Sequence, residues 1–109
     1  MNHDEVNKGK TTAIVSYLTI VGCLIAITMN LEPKNAFARF HIRQAFGIHI
    51  TFHALAIFFA YANIPYAWLG LYVFYLVLWG YGFWSAINGK KELIPVLGKY
   101  FQQWFTFIQ

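Results

Sequence analysis

"QAFGIHITFHALAIFFAYANIPYAWLGLYVFYLVLWGYGFWSAING", residues 44–89, contains no Asp, Glu, Lys or Arg. As one helix at 1.5 Å per residue it would run to roughly 70 Å, more than twice the roughly 30 Å hydrocarbon core of a bilayer. Pro65, within "ANIPYA", breaks the run. The stretch therefore reads as two membrane spans, 44–62 and 67–88, joined by a short uncharged turn. Transmembrane strands would need strict alternation over many segments, and the pattern here does not alternate.

Composition agrees. The 109 residues are 59% hydrophobic and only 11% charged, whereas soluble domains carry about 25% charged residues. Such a chain cannot cover its own apolar surface with polar groups, and lipid is the solvent that suits it. Outward from the opening stretch, Thr11 to Leu31 also lacks any acid, Lys or Arg, which predicts a first span over about 11–30. Its apolar run exceeds the 7–15 residues usual in a cleaved leader, and no A-x-A-like site follows. Residues 1–10 are polar and read as a flexible N-terminus. The expected fold is thus a single all-α integral membrane domain, 1–109, with three transmembrane helices.

After the last span, "LIPVLGKYFQQWFTFIQ" places Leu97, Tyr100, Phe101, Trp104, Phe105 and Ile108 at helical spacing. This predicts an amphipathic helix over 93–108, lying in the membrane interface or packing on a partner protein. With three spans, Lys34, Arg39, Arg43, Lys90, Lys91 and Lys99 share one side, against Lys8 and Lys10 on the other. Cytoplasmic loops carry the excess of Lys and Arg. The expectation is a multi-pass protein of the inner (cytoplasmic) membrane, N-terminus outside and C-terminus cytoplasmic. The formal charge of +4 then suits anionic lipid headgroups rather than nucleic acid.

Two blocks flank the charge-free stretch. "RFHIRQA" precedes it and "AINGKKELIPVLGK" follows. Together they resemble the pattern of a family of small bacterial membrane proteins grouped with the twenty-kilodalton Tic component of chloroplast inner-envelope protein import. The family's R-F-H-x-x-Q block falls on Arg39, Phe40, His41 and Gln44, and its closing block on Gly89, Lys90, Pro95 and Gly98. The resemblance implies an integral membrane protein that is an accessory or pore-lining subunit of a translocation or import complex. From the residues alone, Arg39, His41 and Arg43 sit where basic side chains anchor a span or recognise an anionic lipid or a partner.

His49 and His53 lie deeper, roughly 9 and 15 Å past Arg43. An ionised group there is costly, so both rings are expected neutral and turned toward other helices. Their i, i+4 spacing shares one face, as metal ligands would, but no carboxylate or thiol pair accompanies them. Three roles remain open for the pair: packing with hydrogen bonds to Ser, Thr or Tyr side chains, proton or ion passage, and metal or haem binding. The first is favoured, so no metal or cofactor is expected. Cys23 is the single thiol and has no adjacent base, and no carboxylate pair or phosphate loop occurs. Enzymatic activity is not expected. Beside the translocation reading stand a small proton- or ion-conducting transporter and a structural or regulatory membrane protein. Other membrane proteins or a second copy are the expected partners besides lipid.

Overall fold

The computed structural model describes residues 3–32 and 34–108; residues 1 and 2 of the expected flexible N-terminus lie outside them. Five helices follow in order: α1 His3–Leu18, α2 Ile20–Met29, α3 Ala36–Ala62, α4 Ala67–Ile87 and α5 Gly98–Trp104. Among the described residues there is no strand. Among the described residues, α3 and α4 are the helices long and apolar enough to cross a membrane. The segment expected as a first span is divided between α1 and α2.

The first apolar segment is bent double. Thr19 adopts an extended backbone (φ −153°, ψ 173°) and its side chain accepts a hydrogen bond from the Gly22 amide at 3.0 Å, capping a new helix. Were α1 and α2 collinear, Glu5 and Asn30 would stand roughly 37 Å apart. Instead both touch Asn35. The Asn35 amide side chain donates to the Glu5 carbonyl at 2.8 Å, and the Asn35 backbone N–H donates to Asn30 Oδ1 at 3.0 Å. The two helices therefore form a hairpin whose open end meets the start of α3. Gly22 makes the reversal possible, because a Cβ there would fall 2.5 Å from the Val15 carbonyl oxygen. The polar start of the chain is drawn into this arrangement too. Residues 3–10 are helical rather than loose, since Glu5 Oε1 accepts from the Ala36 N–H at 3.3 Å and fixes the first turn of α1 against α3.

α3 starts at Asn35, whose Oδ1 caps the Ala38 N–H at 2.9 Å. It ends at Asn63 in the left-handed conformation (φ 51°), and Pro65 and Tyr66 turn the chain into the antiparallel α4. α4 stops in a Schellman closure: Gly89 has φ +70°, Lys90 N–H donates to Ser85 O at 2.9 Å, and Gly89 N–H donates to Ala86 O at 3.1 Å.

The tail is a single short helix docked on α3, not a continuous helix over 93–108. Pro95 has no N–H to give, the Ile94 N–H is taken by Gln44, and Val96 sits at φ 66°, so helical bonding starts only at Gly98. Phe101 lies directly on Gly47, where no side chain stands in its way. Beyond α5, Arg43 Nε donates to the Ile108 carbonyl at 2.9 Å. Phe101 and Ile108 turn inward while Trp104 and Phe107 stay exposed.

The result is an elongated molecule, 48 × 23 × 22 Å, with a thick end and a thin end. α1, α2, the tail and the near halves of α3 and α4 make the thick end, which holds almost the whole core. Over residues 50–81 only Leu71 and Leu78 are buried. That thin end is a bare pair of helices covered in exposed Ile, Leu, Val, Phe, Tyr and Trp.

Candidate functional site

The two sequence blocks, some fifty residues apart, meet in one buried hydrogen-bond network at the thick end. α3 carries His41 and Gln44 inward, α1 carries Tyr17, and the segment after α4 supplies backbone groups. His41 Nε2 is 2.7 Å from the Lys90 carbonyl oxygen. A carbonyl can only accept, so Nε2 bears the proton and Nδ1 is the acceptor. Tyr17 Oη, 2.6 Å from His41 Nδ1, therefore donates to it. The same hydroxyl oxygen accepts from Gln44 Nε2 at 3.0 Å. Gln44 is oriented by its backbone partners, since Oε1 accepts from the Ile94 N–H at 2.9 Å and Nε2 also donates to the Glu92 carbonyl at 3.3 Å. Ser85 closes the set. Its Oγ donates to the Lys90 carbonyl at 2.8 Å and accepts from the Glu92 N–H at 3.1 Å.

Each element is placed for a local reason. Tyr17 can reach His41 because Gly82 of α4 leaves room: a Cβ there would stand 2.7 Å from Tyr17 Cε1. Phe37, Phe40 and Tyr17 set their ring edges around His41, with centroids 4.8, 5.0 and 5.5 Å away. Gly98 is required on similar grounds, because its Cβ would meet Leu93 Cβ at 2.9 Å and Gln44 Oε1 at 3.1 Å. Phe40 passes its carbonyl to Gln102 Nε2 at 2.7 Å, which ties the tail to α3. Arg39 is half-buried, while Pro95 and the Lys90 side chain are exposed.

His41 is thus not a headgroup-facing anchor. It is fully buried, and the anchoring expected of it falls to backbone recognition. Arg43 also works inward, on the tail carbonyls of Ile108 and, at 3.5 Å, Thr106. Among the described residues no buried side-chain nitrogen or oxygen lacks a partner. With donor and acceptor matched at each step, the arrangement holds three helices and a loop in register.

The deeper histidines part company. His49 is buried, and its Nε2 donates to the Ser16 carbonyl at 3.1 Å, not to a Ser, Thr or Tyr side chain. The cause is the break at Thr19, which leaves the last carbonyls of α1 without partners in their own helix. His49 takes one and Trp79 Nε1 takes the next, at Tyr17. His53 is exposed, with its ring against Phe52 at 5.5 Å, so it does not face the interior. The two rings do not form a shared site. Among the described residues no group of three or more His, Cys, Asp or Glu is placed to hold a metal ion.

Tyr17 and Trp79 belong to the working set and escaped the sequence reading, while Ser85, a hydroxyl at the expected depth of His49, serves the Lys90 carbonyl and the Glu92 N–H instead. The signal for them was a polar atom inside an apolar run, which does not say which backbone group it meets. In comparisons with family models, curated proteins and solved structures, the chain matches none of them.

Proposed function

We propose that this chain is a non-catalytic integral membrane protein of the inner membrane, in which α3 and α4 span the bilayer and the thick end sits on the cytoplasmic side. One observation carries the reading: the separation of charge from apolar surface along the long axis. Because the α1–α2 hairpin returns to its starting end, Lys8 and Lys10 join the six other Lys and Arg residues there, and the turn at 63–66 has no charge. The count becomes eight to none, the asymmetry that keeps loops in the cytoplasm. From Gln44 to Ala62 and from Ala67 to Ile87 the helices run roughly 28 and 31 Å, one bilayer core each. Both termini then lie in the cytoplasm.

Its role on this reading is that of an accessory subunit that holds its place in a larger membrane assembly. The resemblance of the two sequence blocks to Tic-type import proteins suggests protein translocation as the setting. The meeting of those blocks in one buried network supports a shared way of fixing the fold. A proton relay gains less support, since His49 is bound to a helix carbonyl and His53 lies on the outside.

The test is single-cysteine labelling in intact cells on a Cys23→Ala background. Asn7→Cys, Glu32→Cys and Lys91→Cys should all resist a membrane-impermeant thiol reagent, while Ile64→Cys should react. Labelling of position 7 with protection of position 91 would restore three spans and defeat the proposal. Co-purification in mild detergent, followed by identification of what accompanies the chain, tests the accessory role.

A further inference from the structure

The hairpin does not cross; it dips. His49 marks its depth, because it binds the Ser16 carbonyl just before the turn at Thr19, and it lies five residues, or roughly 8 Å, past Gln44. Helices that lie in a membrane interface sink about 5–10 Å into the headgroup and acyl boundary. The outward surface of α2 suits that depth: Val21, Leu24, Ile25 and Met29 are exposed, and Leu31 follows just beyond the helix. α2 carries no charge of its own. Phe107 of the docked tail is exposed beside the same region, lining a cleft with Leu31 and Ile27. Lys8 and Lys10 on α1, Arg39 on α3, and Lys90 and Lys91 after α4 stand at this end, and with Asp4, Glu5, Glu32 and Glu92 counted beside all eight cations the balance remains +4.

We propose that the thick end is a one-leaflet lipid-binding surface, and that its partner is a convex leaflet of anionic lipid. This rests on the spanning of α3 and α4 argued above. A helix with its side chains is about 10–12 Å across and so takes up roughly 80–110 Å² of leaflet. One leaflet must accommodate the spanning pair together with α1, α2 and the tail; the other accommodates the pair alone. Lipid is displaced mainly from the leaflet that holds the thick end. A bilayer already bent outward on that side has the space, so insertion there is favoured. The cations select anionic headgroups at the same surface.

The experiment reconstitutes the full chain into small sonicated and large extruded vesicles of phosphatidylcholine with phosphatidylglycerol. The two populations are mixed at low detergent, left to exchange and separated by size. The expected result is about twofold or more protein per lipid in the small vesicles, with a Lys91→Cys probe (on the Cys23→Ala background) labelled from outside. Ile25→Glu, which sets a charge on the lipid-facing side of α2, should reduce the preference, and Val73→Ala at the thin end should keep it. If Ile25→Glu does not fold, the comparison with the unsubstituted chain decides alone. Equal density in both vesicle sizes, or a label that reacts only from inside, overturns the proposal; equal density is also the outcome if the α2 surface serves a protein partner instead. Release of the chain by alkaline carbonate would instead sink the spanning reading, which separates the two failures.

Discussion

Tyr17→Phe is the sharpest probe of the buried network, since it removes one oxygen and leaves the ring in place. Two hydrogen bonds go: the one donated to His41 Nδ1 at 2.6 Å and the one accepted from Gln44 Nε2 at 3.0 Å. Gln44 keeps the Glu92 carbonyl at 3.3 Å, so its amide is not stranded. His41 Nδ1 is stranded, in a residue with no exposed surface. A net hydrogen bond is worth about 1 kcal/mol and an unsatisfied buried acceptor costs about 1–3 kcal/mol, so the total loss should be about 2–4 kcal/mol. In a His41→Leu background the Tyr17 hydroxyl has itself lost its acceptor, so the same substitution should cost no more than about 1 kcal/mol. Reversible unfolding in mixed micelles, run as a double-mutant cycle, measures the difference as a coupling energy. A cost for Tyr17→Phe within about 0.5 kcal/mol of zero, the range of an ordinary surface change, would refute the network. So would an equal cost in both backgrounds.

Gly82→Ala would set a methyl group 2.7 Å from Tyr17 Cε1, and overpacking of that kind costs about 1–3 kcal/mol; a lowered unfolding midpoint in the same assay checks it. Gly47→Ala puts its methyl group into the Phe101 ring and should lift the tail from α3, which a shift in Trp104 emission and faster proteolysis after Lys99 would reveal. Trp104, 61% exposed on the docked helix, should be quenched by lipids brominated near the headgroups. Quenching by aqueous iodide alone would place the tail in water.

What the sequence disclosed and what it concealed follow from how each feature is built. The pair of long apolar helices was readable because the chain between Arg43 and Lys90 is contiguous and uncharged, with Pro65 marking its one interruption. The hairpin was not. A twenty-residue apolar run and two ten-residue runs back to back have the same hydropathy, and only local chemistry separates them. Here that chemistry is Thr19 as a cap, Gly22 as the point of close approach, and Asn30 with Asn35 closing the open end through Asn30 Nδ2 to Asn35 O at 3.3 Å and its reciprocal bond. Missing the reversal set Lys8 and Lys10 apart from the other six Lys and Arg residues, whereas the hairpin brings them back to the same end of the molecule.

The buried network was half-readable for a related reason. His41, Gln44, Gly89 and Gly98 stood out as a pattern, yet the atoms that give the pattern its use are the carbonyls of Lys90 and Glu92 and the N–H of Ile94. Every residue type offers those atoms, so no side chain records them. A glycine that must leave room, a histidine that must donate and a glutamine that must do both are the only traces a backbone-recognising clamp leaves in sequence. Side-chain charge is absent from it, and that too has a physical cause. Near a bilayer an ionised group would have to be desolvated, whereas a neutral donor matched to a carbonyl is not penalised in that way. The clamp therefore fixes three helices and a loop with neutral donors and backbone acceptors alone.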